Sequence, residues 1–587
     1  MRLAIAGLGL MAIVVTGAAA APAADNSADA KFKALTAREW SWREHEFAGE
    51  DDEDEQKTPA DHLPAVDKAT QDRRLAYWQD VMKELSAISR DKLSKPDQVS
   101  YDVYKPQIEG LIGDQQFKEY EKPLNSDTTF WTNLGYTARK DYHTEADYRA
   151  YLGQLRDIPR YFHDQIINMR AGLARGFTPP RVTLTGRDKS VSMVIDAKTE
   201  DNAFYAPFKK MPANIPAATQ AELRAEGAKA IEGAVVPAYK DLLTFLRNDY
   251  IPGSRETLAA ESLPDGKAYY RHQILEYTTL DMSPAEIHQL GLQEVARIHA
   301  EMLETMKETG FKGDFPAFLH YLRTDPRFYA KTGEELLMKA SYIAKQFDGK
   351  AAKYFGYLPR QRFAIVPVPD DIAPFYTSGR GGPGVYLVNT YDLPSRPLYN
   401  LPALTLHESA PGHAFQMPIA AEHKELPAFR QKTYISAYGE GWALYAEHLG
   451  VEMDIYKDPY DKFGYLTYQM WRACRLVVDT GIHSQGWTRE QAIAYLHDNT
   501  ALADHEIETE VDRYIAWPGQ ALSYYLGMMA IEKARAKAEA ALGPKFNIRA
   551  FHDSVLELGS VPLPVLTAHV DEFIAKGGVG PYPDMER

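Results

Sequence analysis

Apolar residues recur every three or four positions along most of the first 350 residues, which is the spacing of amphipathic helices. This spacing is clearest over Arg73 to Ser89, Ala217 to Leu246 and Glu334 to Phe347. Ser283-Pro284-Ala285-Glu286 forms a capping box with proline at the first helical position, and it predicts a helix that runs to about Thr309. The pattern therefore predicts a helical N-terminal half.

The pattern changes near residue 360, where short β-branched and aromatic runs appear. Arg362 to Val368 and Val385 to Thr390 predict two strands, and the Gly- and Pro-rich stretch Thr377 to Gly384 connects them. Helical spacing resumes after Leu398, and Thr488-Arg489-Glu490-Gln491 forms a second capping box. We expect a mostly α protein that contains a small antiparallel β-sheet.

Composition excludes some classes of function. The chain has 587 residues, of which 45% are hydrophobic and 25% charged, and these fractions are typical of soluble globular proteins. Its formal net charge is -15, so a nucleic-acid partner is not expected, because phosphate backbones select for basic surfaces. The single cysteine, Cys474, lies in an apolar helical run, where we expect a buried side chain and no disulfide.

The N-terminus carries the pattern of a secretory signal peptide over residues 1–24. Arg2 precedes an apolar run from Leu3 to Val15, and small residues follow from Gly17 to Ala24. The apolar run is shorter than the ~20 residues that span a bilayer. No cysteine lies near the cleavage region, so a lipoprotein anchor is not expected. We expect a periplasmic or secreted protein that keeps no membrane anchor after signal cleavage.

The remaining chain divides into three parts by pattern. Residues 25–60 are polar and include the acidic run Glu50 to Glu55, which predicts a flexible N-terminal arm. Residues 61–350 form the helical N-terminal part of the catalytic unit, and residues 351–575 form the part that carries the candidate chemistry.

That chemistry lies in Leu404 to Gln416, whose sequence is LTLHESAPGHAFQ. A catalytic zinc site needs about three protein ligands, an open position and a general base beside it. His407 and His413 supply two ligands, and Glu408 is the candidate base. The usual motif places the histidines at i and i+4, about 40° apart around a helix.

Here the histidines are six residues apart, which is about 240° on a regular helix. They can share a metal only if the helix is interrupted between them. Pro411 and Gly412 directly precede His413, and these two residue types break and bend helices. We therefore expect a kink that returns His413 to the face of His407.

A third ligand is expected in the segment GEGWALYAEH, residues 439–448. Glu440 lies 27 positions after His413, and Glu447 lies seven positions further on the same helical face. The two carboxylates are about 10 Å apart along a helix axis, so only one can bind the metal directly. We favour Glu440, with Glu447 as its support, and the sequence leaves the choice open.

Four ordered motifs resemble the bacterial family known as domain of unknown function 885. They are a strand that ends in Val-Asn-Thr, the His-Glu-Ser/Ala-x-Pro-Gly-His segment with a trailing Gln, the Glu-Gly-Trp-Ala-x-Tyr-x-Glu segment and an Arg-Tyr-x-x-x-Pro-Gly-Gln segment, here at Val388–Thr390, His407–Gln416, Glu440–Glu447 and Arg513–Gln520. The resemblance is strongest from about 360 to 530 and implies a helical, zinc metallopeptidase-like fold.

A more distant likeness is to the group of angiotensin-converting enzyme and thimet oligopeptidase. Those proteins are helical and two-lobed with a central cleft, and they use a downstream Glu and a late Tyr. The likeness implies that Tyr514 donates a hydrogen bond to the oxyanion. The two additional residues between His407 and His413 depart from that group's zinc motif.

Several further side chains are candidates for contact with substrate. His483 and His505 are expected to bind substrate carbonyl or carboxylate groups, and Arg380 is a weaker candidate for a carboxylate. Tyr386 to Asn389 is a candidate edge strand that pairs with an extended peptide. Tyr524 and Tyr525 are expected in the core.

The residues and the resemblance together predict an exported zinc metallopeptidase that hydrolyses short peptides with one Zn²⁺. Two alternatives stay open: a zinc hydrolase of other amides, and a catalytically inactive protein that binds peptides. The sequence does not determine substrate length, endo- or exopeptidase preference, the metal used in the cell or the oligomeric state.

Overall fold

The computed structural model describes residues 27–49, 60–126, 128–370 and 372–582. The predicted signal peptide and the acidic run at 50–55 lie outside the described residues. None of the described helices is long and apolar enough to cross a membrane.

Helices dominate the described residues, as predicted. The helices before the sheet are α1 (Ala28–Glu46), α2 (Lys68–Ser86), α3 (Lys95–Phe117), α4 (Phe130–Thr137), α5 (Glu145–Arg175), α6 (Asp188–Asp196), α7 (Ala206–Lys209), α8 (Ala217–Ala230), α9 (Val236–Phe245), α10 (Ile251–Gly253), α11 (Gly266–Thr278), α12 (Pro284–Glu308), α13 (Phe315–Thr324), α14 (Gly333–Asp348) and α15 (Ala351–Tyr354). The helices after it are α16 (Leu401–Glu408), α17 (His413–Glu422), α18 (Ala428–Lys432), α19 (Ser436–Glu452), α20 (Pro459–Gln485), α21 (Arg489–Asn499), α22 (Asp504–Ala516), α23 (Ser523–Leu542), α24 (Ile548–Leu556) and α25 (Leu563–Ala575).

Both predicted capping boxes are present. The Ser283 side chain accepts a hydrogen bond from the backbone N–H of Glu286 at the start of α12, and Thr488 does the same for Gln491 at the start of α21. These side chains satisfy backbone N–H groups that a helix start leaves without partners.

The sheet is mixed, so the prediction of an antiparallel sheet is wrong. Its strands are β1 (Ala364–Pro367), β2 (Gly379–Gly382) and β3 (Val385–Val388), in the order β1-β3-β2. β3 runs parallel to β1 and antiparallel to β2. The predicted connection itself contains β2, so the chain reverses once more before β3. β2, rather than Tyr386 to Asn389, is therefore an edge strand.

The predicted flexible arm is wrong for its first part, because Ala28–Glu46 forms helix α1. Phe32, Leu35 and Glu39 are buried, and Glu39 accepts hydrogen bonds from Trp78 Nε1 and the Tyr104 hydroxyl, both at 3.1 Å. Buried positions thus recur at helical spacing, but one of them is a charged residue, which hides the stripe from a search for apolar residues.

Two hydrophobic clusters form the interior. The smaller comprises residues between Leu63 and Tyr250, and the larger combines the segment from Phe32 to Ile108 with Phe177 and residues from Ala260 to Phe573. The expected division at residue 350 does not coincide with either cluster, since α12 packs on α20. Its His288 Nδ1 lies 2.9 Å from the Thr480 hydroxyl. A cavity of about 2390 Å³ is lined by residues from both clusters.

Candidate metal centre

The two motif histidines lie on separate helices. α16 ends at Glu408 and α17 begins at His413, so the interruption expected at Pro411-Gly412 is present. The Gly412 backbone N–H donates to Leu406 O at 3.0 Å. A Cβ at Gly412 would lie 1.8 Å from the carbonyl oxygen of His407, so only glycine fits this turn.

Glu440 brings the two histidines together. Its Oε2 lies 3.4 Å from His407 Nε2 and 3.3 Å from His413 Nε2, and the three ligand atoms lie within 4.8 Å of one another. Two ligands of a tetrahedral zinc ion with bonds of ~2.0–2.1 Å are separated by about 3.3–3.4 Å. The donor atoms and their spacing therefore fit a zinc ion.

Electrostatics support the same fit. Burial lowers the pKa of His407, but hydrogen bonds to Glu440 and Glu447 raise it, and the outcome is about 10. Burial raises the pKa of Glu440, yet the two histidines hold it well below its usual range. The cluster thus attracts positive charge, which a metal cation supplies in place of a proton.

Glu447 occupies the supporting position that the sequence left open. Its Oε1 accepts a hydrogen bond from His407 Nδ1 at 2.8 Å, and its side chain is fully buried. An ionised carboxylate only accepts, so Nδ1 carries the proton, and the lone pair of Nε2 is left for a metal. Glu440 is thus the third candidate ligand and Glu447 orients His407.

Glu408 lies beside this cluster on the cavity wall. Its Oε2 accepts a hydrogen bond of 2.6 Å from the backbone N–H of Gly381 in β2. A Cβ at Gly381 would lie 1.7 Å from the carbonyl oxygen of Glu408. The glycine therefore lets the edge strand approach the end of α16 and fix the carboxylate.

The chain was compared with known proteins. It matches the family described as "Bacterial protein of unknown function (DUF885)" over residues 45–570. The chain belongs to the DUF885 family. This confirms the resemblance carried by its four motifs.

Two solved structures have folds similar to that of this DUF885 chain. A "putative lipoprotein" from Colwellia psychrerythraea is 26% identical, with a TM-score of 0.86 over 94% of this chain and 100% of that one. A "putative lipoprotein of unknown function" from Shewanella oneidensis is 18% identical, with a TM-score of 0.65 over 92% and 99% of the two chains. No curated protein matches the chain.

Tyr514, which the likeness to angiotensin-converting enzyme suggested as oxyanion donor, does not line the cavity of this DUF885 protein. Tyr514 is fully buried, and its hydroxyl accepts hydrogen bonds from Trp471 Nε1 at 2.8 Å and Arg475 Nε at 2.9 Å. Tyr524 belongs to the buried core, as expected, and it also lines the cavity, with its ring centroid 6.5 Å from that of His407. Tyr524 therefore replaces Tyr514 as the candidate oxyanion donor.

The two histidine candidates differ. His483 is buried, and its ring nitrogens are bonded to backbone, with Ala260 N donating to Nδ1 at 3.1 Å and Nε2 donating to Tyr514 O at 2.8 Å. Burial lowers the pKa of His483 to about 3. The expected contact with substrate is therefore wrong for His483, whereas His505 is exposed on the cavity wall.

Three other expectations are resolved by position. Arg380 is exposed on β2 and lines the cavity. Tyr386 is buried in the central strand and cannot pair with a peptide. Cys474 is fully buried, as expected.

Sequence reasoning missed Tyr434. Its hydroxyl donates to Glu440 Oε1 at 3.1 Å, which leaves Oε2 toward the histidines. A Cβ at Gly439 would lie 2.5 Å from the Tyr434 ring, so this glycine before Glu440 gives the ring its place. No spacing rule links Tyr434 to the metal ligands, because it precedes the helix that carries Glu440.

Proposed function

We propose that this DUF885 protein is a zinc-dependent hydrolase, and more specifically a metallopeptidase that cleaves short peptides. One observation carries the proposal: His407, His413 and Glu440 each place a donor atom within 4.8 Å of the others, and Glu408 lines the same cavity beside them. Three protein ligands with a neighbouring carboxylate match the requirements of hydrolytic zinc sites. The two hydrophobic clusters would then be the two lobes of a metallopeptidase-like fold.

Bound zinc would acidify a coordinated water and polarise the scissile carbonyl. Glu408 would accept a proton from the attacking water and later pass it to the leaving amine. The Gly381 N–H holds one carboxylate oxygen of Glu408, so the base is fixed before substrate arrives.

Tyr524 would donate a hydrogen bond from its hydroxyl to the substrate carbonyl oxygen that becomes negative. Arg513 Nη2 donates to the Tyr524 hydroxyl at 3.1 Å, which occupies a lone pair of the phenol and leaves its proton available. A preorganised donor of this kind stabilises developing charge without reorganisation. Tyr434 would position Glu440 rather than touch substrate.

Two features favour a peptide substrate over another amide. β2 is an edge strand beside Glu408, and edge strands can pair with an extended peptide backbone; here the pairing would use groups other than the Gly381 N–H, which donates to Glu408. The site lies inside a cavity between the two hydrophobic clusters, so a short flexible chain reaches it more readily than a loop of a folded protein.

We also propose that the protein is exported. Two proteins of similar fold, one of them 26% identical, are described as putative lipoproteins, and such proteins act outside the cytoplasm. Its own sequence has a signal-like N-terminus without a cysteine near the cleavage region.

Metal analysis followed by digestion of a mixed peptide library tests the proposal. We expect about one zinc per chain, and new peptide termini that appear with zinc and disappear with chelator. Cleavage of simple amides but not of peptides would favour the zinc amidohydrolase. Tight peptide binding without cleavage by the zinc-loaded protein would contradict a hydrolytic function.

A further inference from the structure

Four arginines line one wall of the cavity next to the metal centre. They come from α20, α22 and the segment after β3, and we call them the arginine wall: Arg396, Arg472, Arg475 and Arg513. Arg472 and Arg475 are almost completely buried, at 3% and 1% relative exposure. Buried guanidinium groups need compensating acceptors, because an uncompensated charge in the interior is costly.

Only some of the N–H donors of Arg475 have a hydrogen-bond acceptor. Its Nε donates to the Tyr514 hydroxyl at 2.9 Å and its Nη2 to Glu510 Oε2 at 2.8 Å. Its Nη1 is buried with no hydrogen-bond partner among the described residues. The guanidinium carbon lies over the rings of Trp471 at 4.4 Å and Tyr524 at 4.3 Å, which holds the group in place.

Arg472 is partnered still less completely. Its Nη2 lies 3.5 Å from Glu447 Oε1, an oxygen already bonded to His407, and its Nη1 donates to Tyr468 O at 3.4 Å. Within the described chain, the Nε atoms of both Arg472 and Arg396 are buried without a hydrogen-bond partner.

The charges of the wall do not balance. The four guanidinium groups have two cavity-lining carboxylates beside them: Glu510, which pairs with Arg475 and Arg513, and Glu506, which is near Arg396 and Arg472. Glu447 contributes through Arg472, but its Oε1 is shared with His407. An anion of one or two charges would complete this arrangement.

The wall also lies at the reacting centre. Arg475 stacks on Tyr524, whose ring centroid is 6.5 Å from that of His407, and Arg472 approaches the carboxylate that orients His407. If an anionic group of a substrate bound to the arginine wall, a substrate bond close to that group would lie near Glu408. Guanidinium groups match the planar geometry of a carboxylate.

We propose that the arginine wall binds a carboxylate of the peptide substrate and so fixes which bond is cleaved. This inference rests on the proposed peptidase function and extends it to substrates that carry a carboxylate close to the scissile bond. The carboxylate can come from the C-terminus of the peptide or from an acidic side chain.

Four matched peptides separate the two sources of carboxylate. They are a tetra-alanine free acid, its C-terminal amide, and amides in which one alanine is replaced by Glu or Gln. Calorimetry uses the zinc-loaded E408Q variant, to prevent turnover, and the metal-free unmodified chain. We expect the free acid to bind roughly 10–100-fold more tightly than its amide, since charge-assisted hydrogen bonds are lost.

The outcome assigns the source of the carboxylate. Preference for the free acid alone assigns the C-terminus, and an additional preference for Glu over Gln assigns any nearby carboxylate. Equal or undetectable binding of all four peptides would overturn the inference. This comparison needs no change in the wall itself, so it does not depend on whether a buried arginine can be replaced.

Variants then locate the site. R472Q and R475K should reduce the preference for free acid over amide, because one removes a charge and the other removes the planar fork. The matched control is K105Q, which removes a cavity-lining charge that is already paired with Glu109 at 2.7 Å. Zinc content and thermal midpoint confirm that each variant is folded. Unchanged preference in folded R472Q and R475K would overturn the assignment.

The failures of the two proposals are distinguishable. Cleavage with equal kcat/KM for all four peptides would contradict the arginine wall and leave the hydrolase intact. Acid-dependent binding by the metal-free chain, together with no cleavage by the zinc-loaded unmodified chain, would support the wall and contradict the hydrolase.

Discussion

The Gly381 N–H donates to Glu408, the proposed general base, at 2.6 Å and so ties this carboxylate to the sheet. We expect Glu408→Gln to retain zinc, because the three ligands are unchanged, and to lose roughly 10²–10⁴-fold in turnover. Peptide cleavage and metal content measured on the same sample check this. Glu425→Gln is the control, since Glu425 also accompanies a histidine, His423, but is 72% exposed. Full activity of the Glu408 variant would disprove its role as the base.

The choice between two tyrosines gives a second test. Tyr524→Phe should retain the fold and zinc but lose roughly 10²–10³-fold in kcat, as expected when an oxyanion donor is removed. Tyr514→Phe should instead lower the thermal midpoint, because Trp471 and Arg475 would lose a buried acceptor. A larger loss of kcat at Tyr514 than at Tyr524 would reverse the assignment.

Asp479 gives a pH test of stability. Its side chain accepts hydrogen bonds from the Tyr270 hydroxyl and the Gly519 N–H, while burial raises its pKa to about 7. The folded state therefore holds this proton more tightly than the unfolded state, and the contribution is lost as pH rises from about 4 through 7. The thermal midpoint of Asp479→Asn relative to the unmodified chain should rise between pH 4.5 and pH 8. A difference between the two midpoints that stays constant over this pH range would contradict the assignment.

At the residue scale, chemistry was predictable where the atoms are close in sequence. His407, Glu408 and His413 lie within one turn-interrupted segment, and Pro411-Gly412 indicated the interruption. Likeness favoured Tyr514 over Tyr524, and the two residues lie on different helices, α22 and α23. Which of them reaches the cavity depends on how α22 and α23 pack against α20, and local sequence does not reveal that packing.

At the scale of elements, β2 sets the distance between the sheet and the end of α16. Gly381→Ala should separate them, because its Cβ would fall 1.7 Å from the carbonyl oxygen of Glu408. We expect weaker zinc binding, by roughly 10–100-fold, and lower activity. Gly382→Ala is the matched control, since a Cβ there would meet nothing within 4 Å. Equal zinc affinity in the two variants would show that the close approach is dispensable.

Helices with an apolar stripe and a cap were predictable, and α12 and α21 begin at the expected residues. β2 was not, because glycine is disfavoured in strands and three of its four residues are glycine. Helix α1 was not predicted either, because one position of its buried stripe is the charged Glu39.

At the scale of the whole molecule, metal binding should be coupled to stability. The centre gathers Glu408, Glu440 and Glu447 around two histidines, so the metal-free chain holds several carboxylates close together. Zinc at 1,000 times its Kd should stabilise the fold by about 4 kcal/mol. Thermal denaturation with zinc and with chelator measures this difference. An unchanged midpoint would show that zinc does not bind the folded chain.

The pattern of the sequence predicts that the molecule is mostly helical. It does not predict how the chain divides between the two hydrophobic clusters. Residues 260 to 350 look continuous with the preceding helices, yet they pack with the part that carries the metal centre. The close crossing at Gly291, where a Cβ would lie 2.8 Å from Leu476 Cβ, joins segments almost 200 residues apart. Contacts of that range leave no mark on local periodicity.

The edge strand has a consequence for selectivity. Three of its four residues have no side chain, so it offers a partner chain little besides backbone groups, and of these the Gly381 N–H already donates to Glu408. A peptide paired there would be recognised by its direction and its extended length, while the identities of its residues would contribute little. Under the proposed function, selection among peptide fragments would come from the carboxylate that the arginine wall binds, and little of it from the side chains that lie along the strand.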